Sequence, residues 1–434
     1  MTGALLEIGL TELGPSAEVE LSVDQGRMLA ACGVVTAVPS VYRPGWWTVG
    51  PSGRVGAARV GDVVIRVQPK VPIARLLFLL GYSVHGSAWQ SSAVSLSEAS
   101  DLVPAIAEAL WRQVSYAIGQ GLLPGYVTVE ESSPVLRGRL LESAQLARHH
   151  GLPLPLEIRH DEFTVDIPEN QILRTACERM LLVPRVAPQT RVRLRRLLRE
   201  FGDVATIRRG DQVPSWQPTR LNARYHVALR LAELVLRATS VEHSAGTVAI
   251  NGFLLDMPQL FEDFVTVALR EALEGSHGGR VLAQSRGYLD LAGRVVMRPD
   301  LTWQVGGTVV AVADAKYKAE KPSGYPNADL YQLLAYCTVL GLKVGHLIYA
   351  KGDEDPGRHS VRGADVEIIC HALDLDQPPQ ALLASVGTLA RLIAQSATRQ
   401  AGGACASGLL AVQMTLVPAH QNVGALATVL PEGG

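Results

Sequence analysis

The sequence predicts a multidomain α+β protein. Its 434 residues exceed the usual size of one hydrophobic core. Alternating and β-branched segments cluster near the N-terminus, whereas helical and strand patterns alternate in the last third of the chain. We therefore expect a small β-rich domain over residues 1–95, a mixed helical middle region over 96–250 and an α/β domain with a mixed sheet over 251–400. Residues 401–434 are rich in Gly and Ala and are expected to be a flexible tail, with a final strand at 409–417 as one option.

The first 120 residues combine strand and helix patterns. Four segments alternate or are β-branched, with Pro-Ser-Gly and Gly-Asp turns between them, and these are expected to be strands: 17–23, 46–49, 54–60 and 63–67. Apolar residues at helical spacing predict helices over 72–82 and 102–119. A β-rich domain followed by two helices is the simplest interpretation.

The middle region is expected to be mainly helical. The predicted elements, in chain order, are a strand at 127–131, a helix at 139–149, a strand at 156–159 and helices at 167–182, 189–201 and 221–239. Eight arginines lie between Arg185 and Arg209. They form either the solvated face of an amphipathic helix or a face that meets DNA phosphates or an acidic partner.

The last region has the order helix, strands, helix, strands. Pro258 occupies the first turn of a helix that runs to about residue 274 with an apolar stripe. The elements expected after it are strands at 280–284, 294–297 and 308–313, a helix at 328–339 and strands at 344–350 and 364–371. This order predicts an α/β domain around a mixed sheet.

Composition excludes several classes of protein. Forty basic and forty-one acidic residues give a net charge of -1, so any DNA-binding surface must be local. The five cysteines are widely scattered, which argues against a zinc site or a disulfide framework and suits a reducing cytosol. No signal peptide is evident, and the most apolar stretch, 73–82, is too short to span a bilayer. We expect a cytoplasmic protein without membrane contact.

Two aspartates and a lysine carry the strongest chemical signal. The strand through 294–297 is expected to end at Pro299-Asp300, and the next strand ends at Asp314-Ala315-Lys316. A Gly306-Gly307 hairpin would bring Asp300 close to Asp314, and side-chain alternation places Lys316 on the same face as Asp314. Paired carboxylates suit Mg²⁺, with Mn²⁺ as an alternative, and such a metal supports phosphodiester hydrolysis. The competing interpretation is an exposed, salt-bridged hairpin.

Accessory residues have the same two interpretations. Glu262 lies in the helix that opens the region, and Gln332 and Tyr336 share a face of the later helix because they are four residues apart. Each could support a catalytic centre. Glu262 could instead be a solvent-facing charge, and Gln332 and Tyr336 could merely cap and pack their helix.

The order of these residues resembles the PD-(D/E)xK nuclease superfamily. Longer strings, Asp314-Ala-Lys-Tyr-Lys318 and Asp329-Leu-Tyr-Gln-Leu-Leu-Ala-Tyr336, are similar to the McrC family, the nuclease subunit of McrBC modification-dependent restriction systems. Further segments agree with this resemblance, namely Ile65-Arg-Val-Gln-Pro-Lys70, Arg137-Gly-Arg139, Asp161-Glu-Phe-Thr-Val-Asp166 and Pro168-Glu-Asn170. The resemblance spans roughly residues 60–350.

The resemblance implies a function and a set of roles. It implies a McrB-like hexameric AAA+ GTPase partner that recognises methylated DNA, and a subunit that stimulates this GTPase and cuts double-stranded DNA. It also implies that Asp300 and Asp314 are metal ligands, that Lys316 is the catalytic lysine, and that Gln332 and Glu262 support them. The chain lacks a Gly-x-x-x-x-Gly-Lys-Ser/Thr loop, so we expect GTP to be bound by the partner and not by this chain.

Two rival hypotheses remain open at the level of sequence. The chain could be a non-catalytic activator of an AAA+ motor whose nuclease fold is only a scaffold. It could also be a stand-alone PD-(D/E)xK repair nuclease that needs no GTPase. The conjunction of Asp300, Asp314 and Lys316 argues against the scaffold, because no structural need requires all three.

Overall fold

A computed structural model of the chain describes residues 5–89, 101–150, 152–239, 250–317, 327–350 and 357–404. These residues form two compact units. The first comprises the chain up to residue 69 together with residues 90–255, and the second comprises residues 70–89 together with the chain from residue 256 onward. Helices and mixed sheets occur together, so the predicted α+β class is confirmed. The strand considered at 409–417 lies outside the described residues.

The N-terminal part of the first unit contains two small sheets. One has the order β1 (Leu6–Thr11), β6 (Val63–Gln68), β5 (Arg54–Val60) and β10 (Ile250–Asp256). The other has the order β2 (Ala17–Glu20), β4 (Trp46–Pro51) and β3 (Val35–Pro39). The strands predicted at 46–49, 54–60 and 63–67 are confirmed, whereas β1 and β3 were not predicted.

Helix α1 (Val23–Cys32) begins where the first predicted strand was expected to end. The Ser22 hydroxyl accepts a hydrogen bond from the Gln25 N–H at 3.2 Å, and the Gln25 side chain accepts one from the Ser22 N–H at 2.9 Å. This capping box starts the helix. Gly26 lies against the buried Trp47, where an added Cβ would be 2.0 Å from the indole ring. The helix therefore packs on the sheet only because residue 26 has no side chain.

The rest of the first unit is mainly helical, as predicted. Its helices are α3 (Leu102–Ile118), α4 (Glu142–His149), α5 (Pro168–Leu182), α6 (Pro188–Leu198) and α7 (His226–Thr239). A three-stranded antiparallel sheet accompanies them, in the order β7 (Gly125–Ser133), β9 (Leu156–Thr164) and β8 (Arg139–Leu140). The first residues of the helix predicted at 139–149 form β8, because Arg139 and Leu140 pair with β9.

The arginine-rich helix α6 has the inward apolar face that its sequence predicts. Leu194 and Leu197 are buried. Several of the arginines make contacts within the unit: Arg193 pairs with Glu108 at 3.2 Å, and the Arg191 guanidinium donates to backbone carbonyls. These contacts agree with the interpretation as an amphipathic helix, and the contact with DNA or an acidic partner stays a prediction.

The second unit is built around a six-stranded mixed sheet. Its order is β11 (Arg280–Ala283), β14 (Leu301–Val305), β15 (Thr308–Lys316), β16 (Val344–Ala350), β18 (Glu367–Leu373) and β17 (Arg358–Ser360). Strands β15, β16 and β18 are parallel to one another, and the remaining pairs are antiparallel. A separate two-stranded ribbon joins β12 (Gly287–Tyr288) to β13 (Val296–Met297). The predicted mixed sheet is confirmed.

Helices cover both faces of this sheet. Helix α9 (Asn327–Leu340) packs on the face that carries Val312, Leu347 and Ile368. Helix α10 (Pro379–Ala404), which the sequence analysis did not predict, packs on the other face, where the buried His346 contacts Ser396. Because side chains alternate along a strand, Asp314 has the same orientation as Val312 and faces α9.

Two further helices complete the second unit. Helix α8 (Met257–His277) is the predicted helix around Pro258, and helix α2 (Ile73–His85) packs against it. Phe78, Tyr82 and Phe264 form an aromatic cluster with ring centroids 5.5 to 5.9 Å apart. In the described part of the chain, no helix is both long and apolar enough to cross a bilayer.

Candidate active site

A tight hairpin positions the two aspartates. Strands β14 and β15 are joined by Gly306 and Gly307, whose φ angles of 59° and 83° suit the two-residue turns of hairpins. The predicted hairpin is therefore confirmed. The placement of Asp300 at the end of the preceding strand was wrong, because β13 ends at Met297 and Asp300 directly precedes β14. Pro299 has no N–H to continue a ladder, and the chain turns there.

The corrected topology still brings the three predicted residues together. In an antiparallel pair the start of one strand lies beside the end of the other, and Leu301 is paired with Ala313. The Lys316 Nζ lies 2.5 Å from the Asp314 Oδ2 and 4.0 Å from the Asp300 Oδ2. The Ala315 N–H donates to the Asp300 Oδ2 at 2.9 Å. Two carboxylates and one ammonium thus share one site at the strand ends.

This cluster is largely removed from solvent. Asp314 is 1% exposed and Asp300 is 8% exposed. Lys316 contacts the Asp314 Oδ2, whereas the Asp314 Oδ1 is buried and has no hydrogen-bond partner among the described residues. A buried carboxylate oxygen without a donor is costly. Asp314 therefore carries a buried acceptor that no described donor satisfies.

Among the residues of this cluster that the structure describes, acidic groups outnumber basic groups. Burial raises the pKa of Asp300, and the charges of Asp314 and Glu262 raise it further. Burial lowers the pKa of Lys316, but Asp314, Asp300 and Asp329 outweigh burial, so this pKa is raised overall. The lysine therefore keeps its proton and cannot neutralise all of the carboxylates around it.

The donor set fits a hard divalent cation. Among the described residues no cluster of three or more His, Cys, Asp or Glu side chains is arranged to hold a metal. Mg²⁺ does not need such a cage, since it binds through one or two carboxylates and keeps several waters or phosphate oxygens. Two adjacent carboxylates with an unpartnered oxygen, surplus negative charge and one lysine match this requirement.

Glu262 reaches the site from helix α8. Its carboxylate is half-buried and accepts a hydrogen bond from the Gln284 Nε2 at 2.6 Å. The Gln284 N–H in turn donates to the Asp300 carbonyl at 3.0 Å. Gln284 has a φ of 43°, which is uncommon for a residue with a side chain. Gln284 was not among the predicted site residues, because only the folded chain brings it between Glu262 and Asp300.

Gln332 is connected to the site through Tyr336. Gln332 is exposed, and its Nε2 donates to the Tyr336 Oη at 2.9 Å. The Tyr336 hydroxyl donates to the Arg298 carbonyl at 3.2 Å, two residues before Asp300. Burial and the Asp314 charge raise the pKa of Tyr336. The predicted i, i+4 contact is thus present, and Tyr336 is the member that lies near the aspartates.

Asp329 is a further acidic residue that the sequence analysis did not single out as part of the site. It is 4% exposed on helix α9, and the Tyr349 hydroxyl donates to its carboxylate at 3.4 Å. Its charge also raises the pKa of Lys316. The only sequence signal was its place at the start of the string that ends at Tyr336.

A family comparison places the chain in a class of restriction proteins. The family model described as "McrBC 5-methylcytosine restriction system component" matches residues 50–350, which is more than half of the chain. The chain therefore belongs to the family of McrBC 5-methylcytosine restriction system components. The matched residues include Asp300, Asp314 and Lys316. No protein with a curated description matches the sequence significantly.

Solved structures agree with this fold. The chain is similar to one from a half-complex of the tetradecameric assembly of Thermococcus gammatolerans McrB AAA+ hexamers with bound McrC. That match has a TM-score of 0.53 and 18% sequence identity over 88% of this chain and 100% of that chain. A second match, to the Thermococcus gammatolerans McrBC complex, has a TM-score of 0.36 and 19% identity over 62% of this chain and 88% of that chain, which is too low to support an argument. The first match supports the architecture alone.

Proposed function

We propose that the chain is the DNA-cleaving subunit of a GTP-dependent restriction complex directed against modified cytosine. The observation that carries the proposal is the convergence of Asp300, Asp314 and Lys316 at the ends of neighbouring strands, with an Asp314 oxygen buried and unpartnered. Membership of the McrBC family supports the same conclusion. The domain that carries the site is proposed to be of the PD-(D/E)xK type.

Each residue of the site has a proposed task. Asp300 and Asp314 would hold Mg²⁺, which when bound supplies a more acidic water and neutralises charge on the phosphate. Lys316 places a protonated amine beside the scissile phosphate, where it stabilises negative charge that develops there. Glu262 keeps Gln284 against the Asp300 backbone, and Tyr336 holds the Arg298 carbonyl. These contacts position Asp300 from both sides.

The proposed partner is a McrB-like AAA+ GTPase hexamer, whose GTPase this chain would stimulate. Support comes from the family and from the fold shared with a chain of an assembly of McrB hexamers with bound McrC. In this division of labour the partner binds GTP and selects modified DNA, while this chain cuts the phosphodiester bond in the cytoplasm.

A cleavage assay tests the proposal. Full-length protein, the cognate motor, GTP, Mg²⁺ and duplex DNA with 5-methylcytosine are combined, and wild type is compared with Asp314→Asn and Lys316→Ala. We expect loss of cutting by at least about 100-fold, since each change removes a group that acts on the reacting phosphate. Asp365→Asn is the matched control, because Asp365 is exposed in the same unit.

Three results would count against the proposal or replace it. Normal cutting by both site variants would refute the assignment of the active site. GTPase stimulation without any cutting by wild type would favour the non-catalytic activator. Cutting by the chain alone, with no effect of the motor or GTP, would favour the stand-alone nuclease.

A further inference from the structure

A projecting hairpin lies next to the candidate active site. Strands β12 and β13 form its two sides, with Gly287 paired to Met297. The residue before it, Gln284, contacts both Glu262 and the Asp300 backbone. The last residue of the segment, Arg298, accepts a hydrogen bond from the Tyr336 hydroxyl on its backbone carbonyl. Both ends of this hairpin, residues 285–298, therefore lie among the groups that position Asp300. We call this segment the site hairpin.

The site hairpin has a defined conformation. The Asp290 carboxylate accepts the N–H groups of Arg294 at 2.9 Å and Val295 at 2.7 Å. The Leu289 N–H donates to the Val295 carbonyl at 2.8 Å, and Gly293 turns the chain with a φ of 66°. These bonds preorganise the tip, so its outer side chains are held in place at little entropic cost to a bound partner.

The outer surface of the site hairpin is apolar. Leu291 at the tip is fully exposed, and Leu289, Val295 and Val296 are each close to half-exposed. Only Met297 among its large apolar residues is buried, in the core beneath α9. Contiguous exposed apolar groups on an ordered element indicate a contact surface.

Three arginines flank the apolar residues of the site hairpin: Arg286 and Arg298 lie at its base, and Arg294 lies near its tip. Arg286, Arg294 and Arg298 are all exposed, and the Arg286 guanidinium lies over the Tyr288 ring at 5.5 Å. Within the described ranges none of the three has an acidic partner. The one carboxylate of the hairpin, Asp290, is already used by two backbone N–H groups. Positive charge is thus concentrated beside a site that is otherwise acidic.

We propose that the site hairpin binds duplex DNA beside the phosphodiester that the candidate active site cuts. Its arginines contact phosphates on either side of a groove, and Leu289 and Leu291 pack on sugar and base edges inside that groove. A two-stranded ribbon fits the major groove, and apolar wedges recur among proteins that bend DNA. This inference rests on the proposed nuclease function and adds the element that positions its substrate.

The positive charge of the site hairpin favours DNA over a second copy of the chain as its binding partner. If two site hairpins met across a two-fold axis, their unpaired arginines would face one another and repel. Phosphates have the opposite sign and lie on both sides of a groove, which matches an apolar hairpin with arginines at its base and near its tip. The chain as a whole is nearly neutral, so a local positive element is the kind of surface that a nuclease of this composition requires.

DNA affinity tests the proposal directly. Binding of full-length protein to a fluorescent duplex is measured by anisotropy at several salt concentrations, with the motor present and Mg²⁺ omitted. The triple variant Arg286→Gln, Arg294→Gln and Arg298→Gln is expected to bind at least about 10-fold more weakly. The slope of log affinity against log salt concentration should decrease in magnitude by about 2 to 3, because each lost phosphate contact removes about 0.9 from this slope.

Matched control variants distinguish an effect of the hairpin arginines from a general effect of reduced positive charge. The variant Arg280→Gln, Arg362→Gln and Arg391→Gln removes three exposed arginines from other elements of the same unit and should change affinity less than about 2-fold. The variant Leu289→Ala and Leu291→Ala should weaken binding about 5-fold without changing the salt slope, because it removes apolar contacts only. Thermal denaturation confirms that each variant is folded.

The outcomes separate this inference from the proposed function. Equal affinity of the hairpin and control variants overturns the inference. So does a leucine variant that changes the molar mass in light scattering while DNA affinity is unchanged, since the tip would then bind a second copy. If hairpin variants lose DNA binding but Asp314→Asn still cuts, the inference stands and the assignment of the active site fails.

Discussion

Substitution of Lys316 gives the sharpest test of how positive and negative charges are balanced in the candidate site. It is the one described base among the carboxylates of Asp300, Asp314 and Asp329, and its ammonium lies 2.5 Å from the Asp314 Oδ2. Lys316→Met keeps the length and apolar stem of the side chain but removes the charge. In the metal-free chain the change leaves the buried Asp314 carboxylate uncompensated, and we expect the second unit to lose stability.

The size of the expected stability loss follows from the burial of the ion pair between Lys316 and Asp314. The Asp314 side chain is 1% exposed and the Lys316 side chain is 21% exposed, so the pair is largely desolvated. Breaking such a pair by removing one partner costs about 3–5 kcal/mol. In a unit of roughly 200 residues each kcal/mol lowers the Tm by about 2–4 °C. The expected loss is therefore about 6–20 °C.

The measurement is thermal denaturation without metal. Lys343→Met is the matched control: the same substitution breaks an exposed pair with Asp365 at 2.6 Å in the same unit. That pair contributes about 1 kcal/mol at most, so the control should lose less than about 4 °C. Adding Asp314→Asn to Lys316→Met should restore part of the loss, because it removes one of the uncompensated charges.

Two results would refute this reasoning. The first is an equal loss of Tm in Lys316→Met and Lys343→Met, which would mean that the surplus of buried carboxylates does not exist. The second is a double variant no more stable than Lys316→Met alone. Either result would also remove the electrostatic argument for a cation at this site.

Three other substitutions give independent checks. Tyr336→Phe removes the hydroxyl between Gln332 and the Arg298 carbonyl, and we expect about 1 kcal/mol lower stability and reduced cutting with the motor. His346 is buried and neutral, because burial lowers its pKa to about 3. Below pH about 6.5 the unfolded chain therefore binds a proton at this histidine that the folded chain does not bind. Stability consequently falls as the pH falls. Between pH 7 and pH 5 the free energy of unfolding, measured by urea titration, should therefore fall by about 2 kcal/mol less in His346→Gln than in wild type. Gly26→Ala places a Cβ 2.0 Å from the Trp47 ring and should lower the stability of the first unit by about 1–3 kcal/mol.

Controls or contradicting results accompany these three substitutions. Tyr331→Phe changes an exposed tyrosine on the same helix and should have no effect on stability or cutting. An unchanged acid dependence in His346→Gln would mean that the folded chain protonates this histidine normally. Gly275→Ala, where an added Cβ meets nothing within 4 Å, should be tolerated, and equal effects of the two glycine substitutions would contradict the packing argument.

Local patterns in the sequence were sufficient for the centre of the site. The Gly306-Gly307 turn and the alternation of Asp314 with Lys316 depend on short-range geometry, and both are present in the structure. Asp300 was placed on the wrong strand, but the antiparallel register compensates, since the residue before β14 lies beside the end of β15. The Asp–Lys proximity was therefore predictable from spacing alone.

Residues that depend on long-range packing could not be placed in this way. Gln284 reaches Glu262 only because it adopts a left-handed conformation between two strands, and no periodicity indicates such a position. Asp329 is buried because α9 packs on the sheet. Helix α10 differs from these, because Leu382, Val386, Leu389 and Ile393 recur at helical spacing and are available to prediction.

The early position of α2 in the chain affects how the second unit can be produced as a separate fragment. A fragment that starts at residue 256 has every candidate catalytic residue but lacks Phe78 and Tyr82, which cover Phe264. Such a fragment would expose an aromatic surface to water and aggregate. During synthesis, residues 70–89 must likewise wait for α8 to leave the ribosome before they find their partner. We therefore expect that producing the second unit alone needs residues 70–89 fused ahead of residue 256, and that a simple truncation at residue 256 will fail.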